Sequence, residues 1–358
     1  MNVTFPEHAV ANIDRMRGHG SPLVIGHRGA CGYRPEHTRQ AYELAFQLGA
    51  DFVEPDIVAT KDGVLVLRHE NEISTTTDVA SRPEFAERRT TKEVDGVPVT
   101  GWFTEDFTWD ELATLRCRER LGALRQASAS FDGQYPIMRL THLFDLVDHL
   151  AETTDRELGV VAEIKHATYF ESIGLPLDEL FADELQQVGW QDEPNRLVIE
   201  SFEKSVLRKV RERGIRGTRI YLVEKEGAAF DLVARDGADA ASYADEIGEV
   251  GMYGLATRQG LDAIDGVSVD KSLLLDASAE GGTSDLVDRA HAVGLAVFTW
   301  TLRPENTYLT APFRTEGGKA TFGHWQQEFR TIMASGVDGV FADHPDLALV
   351  VRDAVTSQ

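Results

Sequence analysis

Cysteine is scarce in this 358-residue chain, with only Cys31 and Cys117 present. Two thiols build neither a disulfide framework nor a zinc cluster, and two free thiols are the expected state. The flanks of Cys31 offer no base to activate it, so it is not expected to act as a nucleophile. No apolar run approaches the ~20 residues that cross a bilayer, so no spanning helix is expected. Residues 1–22 lack an apolar core with basic flanks and a small-residue cleavage site, and so do not read as a signal peptide. The chain is then either cytoplasmic or an exported protein whose signal peptide is gone. Positive charge is in deficit, since 36 Lys+Arg against 59 Asp+Glu leaves −23. With no basic run either, nucleic acid and anionic membranes are not expected partners. That charge also repels an anionic substrate at long range, so local cations must bind one. No GxSxG elbow surrounds Ser201, which points it to packing or pocket lining, and no GxGxxG follows the first strand.

What is present is concentrated in residues 22–72. Pro22-Leu23-Val24-Ile25 reads as a buried strand ending in Gly26-His27-Arg28-Gly29, where the glycines permit a sharp turn and close approach of a ligand. Thr38 caps a helix with Ala41, Leu44, Ala45 and Leu48 on one face, and Gly49 stops it. A second strand over 51–58 carries Glu54 and Asp56, two apart and therefore on one face. Two carboxylates pointing the same way repel unless something positive separates them, and in an otherwise apolar strand a metal site is favoured over a solvent-facing edge. The linker Thr60-Lys61-Asp62-Gly63 is too short for a crossover helix, so 64–67 returns as a hairpin arm. A turn near Asp62 brings His69 level with the carboxylates, and His27 belongs on the same rim. Two histidines flanking paired carboxylates suit acid–base chemistry on a substrate held by a cation.

These residues closely resemble the glycerophosphodiester phosphodiesterase family. HRG at 27–29, PEHT at 35–38, GADFVEPD at 49–56, TKDG at 60–63 and His69 match its signature in order and spacing. The resemblance continues through EIKHATYF at 163–170, SFE at 201–203, WTLRPEN at 300–306 and GVDGVFADHP at 336–345, and so covers nearly the whole chain. Two departures, His37 where the family usually has Asn and Glu70 where it has Asp, bear on loop hydrogen bonding. Pro55 between the carboxylates is similar to the periplasmic branch.

Strand candidates at 159–165, 196–202, 219–224, 266–270, 295–301 and 337–342 join those at 22 and 51 to make eight, with helices at 177–189, 203–213, 284–293 and 324–335. Eight alternating units predict a TIM (β/α)8 barrel with its site at the carboxyl ends of the strands. A doubly wound sheet is the alternative. Residues 1–358 read as one domain, and 73–135 as an insertion above the rim. Thr108 and Glu111 open a helix over 109–120 there, and Trp102, Phe103, Phe107 and Trp109 are expected to form the insertion's own small core. A helical stripe follows at Leu140, Leu143, Phe144, Val147 and Leu150.

At the third strand end, Glu163 and Lys165 share a face. A buried Glu–Lys pair gives the same pattern, but the resemblance implies that Glu163 is a third metal ligand beside Glu54 and Asp56. It implies further that Arg28 and Lys165 bind phosphate, and that His27 and His69 are the acid–base pair. Trp300 is placed to cover a sugar-like or apolar ligand face, with core filling as its competing role. Asp343-His344-Pro345 reads as loop-forming. An all-oxygen site suits one divalent cation, Ca2+ or Mg2+. The expected reaction is hydrolysis of small glycerophosphodiesters to glycerol 3-phosphate and an alcohol such as choline or ethanolamine. The alternatives are phospholipase D-like or cyclising chemistry on lysophospholipids, and a phosphodiester-binding protein without turnover.

Overall fold

The computed structural model describes residues 21–356, so the reading of residues 1–22 falls almost wholly outside the described part. Among the described residues no helix is long and apolar enough to cross a membrane. The strands of the main sheet are, in chain order, β1 (Leu23–His27), β2 (Phe52–Glu54), β3 (Asp56–Ala59), β4 (Leu65–Leu67), then β7 (Gly159–Ile164), β8 (Leu197–Ser201), β9 (Thr218–Val223), β10 (Gly266–Asp270), β11 (Ala296–Leu302) and β12 (Gly339–Ala342). Between them lies a separate two-stranded ribbon, β5 (Thr90–Val94) and β6 (Val97–Gly101). β1 pairs in parallel with β2 and β12, parallel pairing runs on from β12 back to β7, and β7 closes the ring on β2 and β3. The ring is a closed eight-stranded parallel barrel, the TIM fold rather than the open doubly wound sheet.

Strand parity decides what lies inside it. Leu23, Ile25, Phe52, Val161, Val198, Ile220, Ala296, Phe298 and Phe341 form one buried cluster drawn from seven of the strands around the barrel. Gly159 is needed there, because a Cβ at that position would lie 2.1 Å from the Phe52 ring. Two residues further along β1, β2, β7, β8 and β11, on the same face, come His27, Glu54, Glu163, Glu200 and Trp300. The site is the last layer of the barrel interior.

The strand expected over 51–58 is split at Pro55, which has no N–H to give the ladder. β2 continues the barrel, while β3 pairs in parallel with β7 and antiparallel with β4, as Ile57↔Leu67, Val58↔Val66 and Ala59↔Leu65. Extending that register sets His69 across from Pro55.

Segment 73–135 departs from expectation in three ways. The helix over 109–120 is only Trp109–Leu112; its Thr108–Glu111 capping box forms, but Arg116 and Cys117 are drawn into extended bridges with Pro136 and Thr77. The β5–β6 hairpin, unforeseen, turns at Asp95-Gly96 with positive φ at both residues. Trp102, Phe103 and Phe107 are buried in the main hydrophobic cluster, with Trp109 against it, rather than in a separate core. The stripe at 140–150 lies in the helix Leu140–Thr154.

Candidate active site

A cavity of about 940 Å³ opens at the carboxyl ends of the strands. His27, Arg28, Glu54, His69, Glu163, Lys165 and Trp300 line it, and Asp56 is fully buried close by. β1 delivers His27 and then turns with positive φ at Arg28 and Gly29, which aims the Arg28 amide at Glu54 Oε2, 2.8 Å away. A side chain at Gly29 would meet the Ala41 backbone at 2.6 Å.

A fourth carboxylate, Glu200, joins those at the strand ends. Oxygen atoms of Glu54, Glu163 and Glu200 lie within 4.8 Å of one another. Asp56 is instead tied through Oδ2 to His37 Nε2 (2.8 Å) and lies 3.3 Å from Arg28 Nε. Its Oδ1, 3.9 Å from Lys165 Nζ, is buried without a hydrogen-bond partner, as is Glu200 Oε2. Burial and mutual repulsion push the Glu54 and Glu200 carboxyls well above the usual range. Burial likewise takes Glu163 up to about 8, although Lys165, 2.8 Å away, opposes it. Buried like charges that cannot all ionise, beside carboxylate oxygens lacking partners, fit a hard divalent cation with oxygen ligands. Glu200 went unread in the sequence. Its signal was available, since it shares the inward face of an otherwise apolar strand with Val198.

His27 is fixed through a hydrogen bond at Nδ1, whereas His69 Nδ1 has a carboxylate contact but no hydrogen-bond partner. His27 Nδ1 lies 2.6 Å from Asp343 Oδ1, and because an ionised carboxylate only accepts, the proton is on Nδ1 and Nε2 is free. Asp343, expected to be loop-forming, therefore bears directly on the site. His69 Nδ1 lies 2.7 Å from Glu70 Oε1. Burial, reinforced by Arg28, lowers His27 to about 4 against the pull of Asp343. Burial also takes His69 to about 3, with Arg28 and Lys165 adding to it; a quarter of its side chain is open to the cavity, and solvent moderates that effect. Both shifts favour the neutral imidazole at pH 7.

The cations keep their charge despite burial. Glu36 and Asp56 hold the Arg28 guanidinium up, and Glu163 and Asp56 do the same for Lys165. The Trp300 indole packs edge-on to Phe202, with ring centres 5.9 Å apart. Ser201 Oγ donates to the Ile164 carbonyl at 2.8 Å, a packing role. Both cysteines are free and buried, and burial pushes the Cys31 thiol well up. The two departures from the family pattern both find partners: His37 joins Asp56 to the Tyr42 hydroxyl, and Glu70 reaches His69 and His166.

His166 supplies a pH prediction. Burial opposes its charge, but the hydrogen bonds it donates to Asp95 (2.6 Å) and Glu70 (3.1 Å) outweigh that and raise it to about 9. A raised folded pKa stabilises fully below the unfolded value near 6.5, and the stabilisation is lost as pH climbs through 9. The loss amounts to at most about 3 kcal/mol. Urea unfolding at pH 6.5 and 9.5 should show it in the wild type and a smaller loss in Asp95→Asn.

The family model described as "Glycerophosphoryl diester phosphodiesterase family" matches residues 27–347. Glycerophosphodiester phosphodiesterase GDPD6 of Arabidopsis thaliana is 30% identical over 336 residues, which cover 90% of this chain and 83% of the plant protein. The glycerophosphodiester phosphodiesterase of Haemophilus influenzae is 26% identical over 197 residues, 53% of this chain and 52% of that one. Among solved structures, a putative glycerophosphoryl diester phosphodiesterase from Silicibacter pomeroyi superposes with a TM-score of 0.65 at 20% identity, covering 96% and 97% of the two chains. An Oleispira antarctica phosphodiesterase in complex with the product sn-glycerol-3-phosphate gives 0.58 at 19% identity, covering 93% and 97%. At these identities the structural likeness speaks for the fold.

Proposed function

The chain belongs to the glycerophosphoryl diester phosphodiesterase family, and from that premise we propose that it cleaves small glycerophosphodiesters by metal-assisted, two-histidine catalysis. Residues 1–358 would act as one catalytic domain, with 73–135 inserted in it. The carrying observation is the order of groups across the site: His27 on β1, the carboxylates of the split β2–β3 strand, and His69 just past β4. Glu54, Asp56 and Glu163, joined by Glu200, would hold Ca2+ or Mg2+, which stabilises charge on the phosphoryl oxygens when bound.

The chain's own groups do the rest. Arg28 and Lys165 bind the non-bridging oxygens and offset the charge that builds as the attacking hydroxyl adds to phosphorus. One histidine takes the proton of that hydroxyl through its free nitrogen, and the other protonates the departing alcohol. The bound phosphodiester anion counters Arg28 and Lys165 and so favours the imidazolium form that the acid requires. The attacker is water, or else the neighbouring glycerol hydroxyl, which expels the alcohol to leave a cyclic phosphate that water then opens; Trp300 covers the ligand's apolar face. The products are glycerol 3-phosphate and an alcohol such as choline or ethanolamine.

Glycerophosphocholine incubated with the protein should yield glycerol 3-phosphate and choline. Release should stop after chelation and return on adding Ca2+ or Mg2+. A cyclic phosphate as the end product would point to the cyclising chemistry instead. Tight binding without turnover would identify a binding protein.

A further inference from the structure

We propose that the 73–135 insertion is a positioning frame for both histidines, its members acting through Asp343 on one side and Glu70 on the other. This rests on the reading of His27 and His69 as the acid–base pair.

On the His27 side, Asp343 is fully buried and splits its two oxygens. Oδ1 takes His27 Nδ1, while Oδ2 accepts from Arg125 Nη2 at 2.5 Å and from Arg303 Nε at 2.8 Å. Two donors on one oxygen fix the plane of the carboxylate, and that plane fixes the ring. Arg125 comes from the insertion and is itself 6% exposed. Its Nε donates to Glu305 Oε1 at 2.8 Å and its Nη1 to the Cys31 carbonyl at 3.3 Å. It is absent from the cavity lining, which makes it a positioning residue and not a substrate ligand.

The His69 side repeats the order of charges, with an ion-pair contact where the His27 side has a hydrogen bond. Glu70 stands with Oε1 at 2.7 Å from His69 Nδ1 and Oε2 at 3.1 Å from His166 Nε2. His166 Nδ1 is in turn 2.6 Å from Asp95 Oδ2, at the tip of the β5–β6 hairpin. On each side an imidazole Nδ1 meets a carboxylate, the carboxylate meets a cation, and the insertion supplies or holds that cation. Core filling does not account for this. The insertion's aromatics already fill the core, and a buried ion pair is seldom worth more to stability than apolar side chains of equal volume. Holding Nδ1 presents Nε2 in one tautomer and one direction, and a misplacement of about 1 Å costs about 100-fold in rate.

The test is steady-state kinetics on glycerophosphocholine, with 15N NMR of the histidine rings, for Arg125→Gln, Arg125→Lys and Asp95→Asn of the full chain. We expect Arg125→Gln to lower kcat about 10- to 100-fold with KM little changed, and Arg125→Lys to recover part of the loss. The His27 ring should lose its single Nδ1–H tautomer while His69 keeps its own. Asp95→Asn, at the hairpin tip and therefore harmless to the core, should do the converse. Wild-type kcat and unchanged ring spectra in Arg125→Gln and Asp95→Asn, with His27→Ala and His69→Ala inactive, would overturn the frame and leave the acid–base reading intact. Full turnover in His27→Ala and His69→Ala would instead remove the reading beneath it.

Discussion

Alanine at His27 or at His69 is expected to lower turnover of glycerophosphocholine by roughly 10²–10⁴-fold, the usual worth of a positioned general acid or base. Neither residue grips the phosphoryl oxygens in this account; Arg28 and Lys165 do. KM should therefore move far less than kcat. The two proton transfers serve one displacement, so the double variant should be little worse than the poorer single one. Near-wild-type turnover in either variant would remove that residue from the chemistry. A large rise in KM at constant kcat would reassign it to substrate binding.

Loss of the cation should be as severe. Chelation, Glu54→Gln or Glu163→Gln should each reduce turnover to background, and the cation should also show in stability. Lys165 is the cation closest to Glu163, and the carboxyls of Glu54 and Glu200 are held up by burial and by their acidic neighbours. A divalent ion at a hundred times its Kd adds about 2.7 kcal/mol. The pH dependence of the metal-free protein gives a second view. Glu163 is raised to about 8 from the ordinary 4.5, so the folded protein holds a proton that the unfolded chain releases. Stability falls as pH rises through that window. His27, His37 and His69 are lowered by burial and act with the opposite sign, but only below about 6.5. Between pH 6.5 and 8 the decline should be visible and saturating cation should flatten the part due to Glu163. The part due to His166 has the same sign and yields to Asp95→Asn, so the two can be told apart. A Tm unmoved by Ca2+ and Mg2+ would contradict the site.

Short-range features were legible in the sequence. Strand parity brought His27, Glu54 and Glu163 to the carboxyl rim, and the length of the linker at 60–63 was enough to bring His69 back beside them. Eight apolar runs alternating with helical stripes were enough for the barrel. Pairings between distant segments were not legible: Asp343 reaches His27 across 316 positions and Arg125 reaches Asp343 across 218. Nothing local to ADHP or to residue 125 announces them. Parity sets Asp56 on the same face as Glu54, but its tie to His37 depends on how the 35–38 loop folds back over β3. In the insertion, the N-cap at Thr108 is sound but bridging at Cys117 stops the helix early, and Asp95-Gly96 is a good hairpin signal whose arms are too exposed to stand out as strands.

Everything proposed here depends on a divalent ion seated among the strand-end carboxylates with an imidazole on either side. Mn2+ titrated into metal-free protein and followed through the histidine ring resonances tests it most directly. One equivalent should broaden His27 and His69 together and spare His149 on the outer helix, and Glu163→Gln should abolish the effect. Mn2+ that leaves both rings sharp, or broadens only one, would contradict it.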